Sequence, residues 1–196
     1  MSITQACRHI VNYTCAHESL GSALGRARFS YPARHIEADN RLGWFLGKLD
    51  AMYGDDAFYV HLRRDLNMVA RSFTKRYGRG IIKAYREGIL MDIPKEYEPI
   101  AIARDYCETV ESNIQLFLRD KTHKMEISLE NIRSDFPLFW EQIKAEGDME
   151  AALAEFDQHH NATQTRKRRI SIELVKKAVG KTKRIVNAFP DFIRYT

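Results

Sequence analysis

Apolar residues recur along this chain with two periods. In SITQACRHI, Ile3, Ala6, Cys7 and Ile10 fall at helical spacing and predict one buried helix face. NYTCAH follows as a short run rich in strand formers. ESLGSALGRARFSYP, with turn-prone Gly and Pro among small polar residues, predicts a long loop, and ARHIEADN predicts the end of a second strand. NRLGWFLGKLDAMYG predicts a helix with Leu42, Phe45, Leu46 and Leu49 inward, and Gly54 stands just past its end as a C-cap glycine.

AFYVHL is a continuous apolar run, the pattern of a strand covered on both faces. Asp65 then opens a helix expected to reach Tyr77, with Leu66, Val69, Ala70 and Phe73 as its inner stripe and Gly78 and Gly80 ending it. A long amphipathic helix over 97–118 leads to a further strand at KMEISLE. From Ile132 onward the pattern is helical, with breaks at Pro137 and Gly147 and a final helix over 172–186. Strands alternating with helices predict an α/β sheet, mainly parallel, with helices on both faces.

A length of 196 residues predicts a single domain over 1–196, large enough to enclose a core. The 44% hydrophobic content excludes a disordered chain, and no apolar stretch approaches the ~20 residues that span a bilayer. The N-terminus lacks a signal-peptide pattern, so the expected location is cytoplasmic, with no membrane partner. Cys7, Cys15 and Cys107 form no CxxC, and the adjacent His159 and His160 point apart on a helix, so neither a disulfide framework nor a metal site is expected. The net charge of +5 favours anionic partners without choosing among them. Its densest run, TRKRR at 165–169, reads equally as a solvated helix face.

The stretch FYVHLRRDLNMVARS carries the chemistry. In an open α/β sheet ligands bind beyond the carboxyl ends of the strands, and Arg64 sits at such an end. A guanidinium there grips a phosphate with two parallel hydrogen bonds, and Ser72, two turns into the following helix, adds a hydroxyl. The competing reading is an arginine paired with a nearby carboxylate and a tolerated helix serine.

Strand, Arg64-Asp65 and then Ser72 resembles the 3'-phosphate-binding segment of the sulfotransferases, which transfer a sulfuryl group from 3'-phosphoadenosine 5'-phosphosulfate (PAPS). In that family an arginine at the strand end and a serine eight positions later bind the 3'-phosphate, and Arg64 and Ser72 match in type and spacing. Leu66 stands where the family usually has proline, a position any good helix former fills. HIEADNRLGWFLG is similar to the segment preceding the Arg-Asp strand in a bacterial sulfotransferase-like group. KMEISLENI, with Glu126 and Glu130, and the later HHNAT look like the C-terminal half of bacterial members. The resemblance covers roughly residues 2–165. It implies a three-layer α/β/α, P-loop NTPase-like sulfotransferase fold with a helix-rich C-terminal half, PAPS as donor co-substrate, no metal, and a small-molecule or carbohydrate acceptor bearing a hydroxyl or amine.

The family's other signature, a glycine-bearing loop whose backbone N–H groups cradle the 5'-phosphosulfate, has no counterpart: neither GxxxxGK nor GxxGT occurs. SITQACRHI looks like the helix after that loop, so the chain is expected to begin inside it, with Ser2 as the last loop hydroxyl. The N-terminal strand and turn, about 20–25 residues by usual element lengths, either precede it in a longer protein or are lost.

For the base that takes the acceptor's proton, the family uses a His or Glu near the donor. CAHES offers Glu18, the favoured residue, and His17; RHIEAD offers His35 and Glu37. His61, inside the AFYVHL strand, reads as a hydrogen-bonded core residue. The loop over 21–32, with Arg26, Arg28, Phe29 and Tyr31, is expected to line an acceptor site. Two other functions stay open: a catalytically inactive nucleotide- or anion-binding protein of the same fold, and a basic nucleic-acid-binding protein resting on TRKRR alone.

Overall fold

The structure, a computed structural model, describes residues 2–157. Asn161 of HHNAT, the TRKRR run, the histidine pair and the expected last helix lie outside the described residues. The described chain is mixed α/β, and within it no helix is long and apolar enough to cross a membrane.

Helix α1 (Ser2–Cys7) leads to β1 (Thr14–His17), and the long loop that follows contains one 3-10 turn (Gly25–Phe29) before β2 (His35–Ala38). The helix expected over NRLGWFLGKLDAMYG begins as a 3-10 turn (Asn40–Trp44), held by the Asp39 side chain accepting from the Arg41 N–H, and continues as α2 (Leu46–Tyr53). Gly54 ends α2 at φ 51° with its N–H on the Asp50 carbonyl, the left-handed stop expected of it. β3 (Tyr59–Arg63) and α3 (Leu66–Thr74) follow. The segment after α3 is not a simple stop: Gly80–Ala84 forms α4 and Tyr85–Ile89 a π-helical turn. Then come α5 (Pro99–Leu118), β4 (Lys124–Ser128), α6 (Ile132–Gln142) and α7 (Met149–Ala154).

The strands pair in parallel, β1 with β2 (Thr14 opposite His35) and β3 with β4 (Tyr59 opposite Lys124). Among the described residues these are two separate two-stranded sheets, where the alternation predicts one. Each strand therefore keeps an unpaired edge. On β3 the Tyr59 N–H and Arg63 carbonyl bond toward β4, so the backbone groups of Val60 and Leu62 face the other way. Their side chains lie beside Met125 and Ile127 in the register, yet remain 37% and 38% exposed while Ile127 is fully buried. Cover on both faces of β3, expected from its apolar run, is complete on neither: among its residues only His61 is buried, 3.2 Å from Glu111 of the α5 helix, and Arg63 on the same face is exposed.

Two clusters make the core. Ala6, Cys7 and Ile10 after α1 join Ile127, Phe136, Phe139 and Trp140, with Cys15 and Ile36 packed against them. Ala70, Ile82, Tyr85, Ile102, Ala103 and Tyr106 form the second between α3, α4 and α5. Pro137 lies inside α6 and does not break it, because buried Phe136, Phe139 and Trp140 on both sides of it fix the helix to the core.

Candidate anion-binding site

Because β3 and β4 run parallel, their carboxyl ends lie together, and Arg64 and Asp65 leave the sheet there. Asp65 caps α3, its Oδ1 accepting the Met68 N–H at 2.9 Å. Glu130 braces the same turn: Oε1 accepts the Asp65 N–H at 2.9 Å and Oε2 the Ser128 hydroxyl at 2.8 Å. The Asp65 N–H first, then the Ser128 hydroxyl and the charge of Arg64, hold the Glu130 carboxyl below its ordinary pKa.

The two arginines of this turn differ. Arg63 is spent on Glu126 at 2.9 Å and Glu111 at 3.4 Å. Arg64 is exposed and makes no ion pair among the described residues, so the reading as a salt-bridged strand-end arginine has no partner there. Ser72 is half-buried on α3, seven positions beyond Asp65 and so on the same helix face. At about 1.5 Å of rise per residue, roughly 10 Å of helix separates those two positions. Arg76 Nη2 donates to the Ser72 hydroxyl at 3.3 Å. Arg76 was legible as a cation one turn beyond Ser72, although the two-residue motif does not include it.

The candidate bases fare differently. Glu18 follows β1 at φ 51°, a left-handed conformation that strains a glutamate by about 1–3 kcal/mol. Its carboxylate pairs with Arg41 at 2.5 Å, and its N–H extends the ladder to the Ala38 carbonyl. His17, the last residue of β1, is exposed. His35 has both ring nitrogens engaged, one 2.7 Å from the Thr14 hydroxyl and the other 3.1 Å from Glu37, beneath the stacked ring of Tyr31. Burial pushes the Glu37 carboxyl up, but the Ser19 hydroxyl and N–H, with His35, outweigh it and leave the group below its ordinary pKa. A buried carboxylate so well supplied with donors is a poor proton acceptor, which leaves His17 and Glu18 as the more open pair. Ser2 opens α1. His61 is buried and 3.2 Å from Glu111.

Of the loop expected to line an acceptor site, Arg28 is turned inward. Its guanidinium donates to Asp39 Oδ2 at 2.7 Å and to the Leu20 carbonyl at 2.8 Å, and Phe29 is buried beside it, so neither faces a ligand. Two shallow clefts flank α5: one of about 410 Å³ between His61, Arg119 and Lys124, the other of about 320 Å³ between Trp44, Asn113 and Phe117. Neither includes Arg64 or Ser72. Among the described residues no three His, Cys, Asp or Glu side chains are placed to hold a metal ion.

No family model matches the chain, and neither a curated protein nor a solved structure matches it.

Proposed function

We propose that this chain is a sulfotransferase-fold protein, P-loop NTPase-like in its three layers, that binds PAPS through its 3'-phosphate and serves sulfuryl transfer to a hydroxyl or amine acceptor. The observation that carries this is Arg64: a guanidinium with no ion pair among the described residues, at the carboxyl end of a parallel strand pair and directly before the capped helix bearing Ser72. An arginine without an ion pair, at the head of the helix that carries a serine hydroxyl and a second guanidinium, suits a phosphate dianion. Helices on both faces of the β3–β4 pair, α5 through Tyr59, His61 and Arg63 and α6 through Ile127, agree with the layering. Glu18 and His17 are the residues proposed to take the acceptor's proton.

The residues fit one end of the nucleotide only. For the 5'-phosphosulfate the sequence offers no glycine-bearing loop, and no transfer step is derived through it. The unpaired edge of β3, with Val60 and Leu62 part-exposed, is what a further parallel strand would cover. The missing loop supports a second reading, an inactive nucleotide- or anion-binding protein of this fold.

Calorimetric titration with 3'-phosphoadenosine 5'-phosphate tests the site. Arg64→Ala is expected to weaken binding about 10- to 100-fold, the worth of hydrogen bonds to a charged group, and Ser72→Ala about fivefold. Since Arg64 is exposed, its thermal midpoint should match wild type. Equal affinity in wild type and Arg64→Ala, or no binding at all, overturns the reading. If binding is present, assay of an N-terminally extended version for sulfuryl transfer separates the two: transfer supports the enzyme, binding without transfer the inactive protein.

A further inference from the structure

Cys7 and Cys15 stand eight residues apart in no motif, and folding brings them together. Cys7 ends α1 and is 1% exposed, inside the core cluster against which Cys15, the second residue of β1, packs part-exposed. Just past α1 the Arg8 N–H bonds the Gln5 carbonyl, while the Thr4 carbonyl, one turn before Cys7, accepts the Cys15 S–H at 3.6 Å. The Cys15 sulfur is therefore seated on the last turn of α1, where it also meets the Cys7 thiol in a side-chain hydrogen bond. Thiols in such contact can be bridged without sliding one element past the other.

The three thiols of the chain differ in access and in readiness to ionise. The Cys7 S–H donating to it, against the cost of burial, and the charge of Arg8, against that of Glu37, hold Cys15 below the ordinary thiol pKa. Cys7, the donor of that bond and fully buried, is pushed far above it. Cys107, on α5 beside the other core cluster, is pushed up to about 11 by burial and by Glu108. One sulfur is thus both reachable and nucleophilic, and the group donating to it is a second sulfur that solvent does not reach. A part-exposed sulfur lodged against a helix admits an oxidant the size of water more readily than a bulky disulfide, which favours a hydroperoxide.

We propose that Cys15 and Cys7 are a redox site, a thiol pair that hydrogen peroxide converts to a disulfide tying the end of α1 to β1. The Cys15 thiolate attacks one peroxide oxygen; the O–O bond breaks, a sulfenic acid forms, and the departing hydroxide takes a proton to become water. The Cys7 sulfur then attacks that of Cys15, the S–S bond forms as the S–O bond breaks, and the Cys7 proton leaves with the hydroxide as a second water. Two thiols are oxidised and one peroxide is reduced. None of this rests on nucleotide binding. The test is a tryptic map of the full, folded chain after limiting hydrogen peroxide, without reductant. Cleavage at Arg8 separates the cysteines, so peptide 1–8 is expected joined to 9–26 only through the new bond, with the Cys107 peptide 105–119 still a free thiol. Before oxidation, iodoacetamide at neutral pH should alkylate Cys15 at least about tenfold faster than Cys107. Cys7→Ala should stop at a Cys15 sulfenic acid, trapped by dimedone, and Cys15→Ala should leave Cys7 unoxidised. Oxidation of Cys107 before Cys15, a bridge to Cys107 or to a second chain, or a Cys7–Cys15 bond that forms only in urea overturns the proposal.

Discussion

Asp39→Ala is expected to remove about 3–5 kcal/mol of folding stability, the usual result of leaving a buried charge without its partner. The Asp39 side chain is 1% exposed and that of Arg28 6%, and they meet at 2.7 Å. Without the carboxylate, the Arg28 guanidinium keeps the Leu20 carbonyl and the ring of Phe45, 5.1 Å away, and its Nε already has no hydrogen-bond partner. Water cannot reach it unless the loop over 19–34 lifts from β2. Asp39 also accepts the Arg41 N–H at 2.8 Å, so the same change uncaps the turn that leads into α2. Urea unfolding followed by circular dichroism checks the figure. Arg28→Met combined with Asp39→Leu should lose much less than Asp39→Ala alone, because both charges leave together. A loss below about 1 kcal/mol for Asp39→Ala would mean that the pair is solvated and the loop open.

The consequence reaches the acceptor side of the proposal. Arg28 reads in the sequence as one of two arginines offered to an acidic ligand, but it is the internal strut of its own loop, and Arg26 alone of the two is exposed. Type and neighbourhood were legible; direction was not, because it depends on Asp39, eleven residues away and across the sheet end. Arg64 is the opposite case. Its place at a strand end followed from AFYVHL and the capping Asp65, both local signals, and β3 and the start of α3 stand where those signals put them, although α3 ends at Thr74 and not at Tyr77.

Local signals served the other elements equally well. The stripe Ile3, Ala6, Cys7, Ile10 lies in one core cluster, and Gly54 takes the left-handed turn its position predicts. Three features escaped the pattern. The apolar run of β3 says nothing about whether a neighbouring strand covers Val60 and Leu62, since cover is a property of the sheet and not of the strand. IIKAYREGI, behind two glycines, forms helix because Ile82 and Tyr85 find Ala103 and Tyr106 on α5, a tertiary gain that outweighs the breakers. Pro137 is carried inside α6 by the aromatic residues flanking it, for the same reason.

Gly147 shows what a glycine in the sequence does not reveal about its purpose. It reads as a helix break, yet its backbone runs antiparallel beside Ile10, and a Cβ there would lie 2.1 Å from the His9 carbonyl oxygen and 3.2 Å from the Ile10 Cα. Its φ of 141° is closed to ordinary side chains as well. The clasp is built from main chain: the Val11 N–H bonds the Glu146 carbonyl at 2.7 Å and the Asp148 N–H the His9 carbonyl at 3.2 Å. Backbone has no rotamer with which to yield, so Gly147→Ala must push the segments apart, breaking these bonds and drawing α7 from α1. Strain and overpacking together predict a loss of about 3–5 kcal/mol. Gly78→Ala, where an added Cβ meets nothing, should stay within about 0.5 kcal/mol of wild type. Paired urea titrations decide it, and equal midpoints for the two variants would mean that the clasp is not closed in solution. Arg64 and Ser72 belong to the turn and helix packed on the other core cluster. Nucleotide binding that persists in folded Gly147→Ala would therefore show that the phosphate site does not depend on the clasp between Ile10 and Gly147.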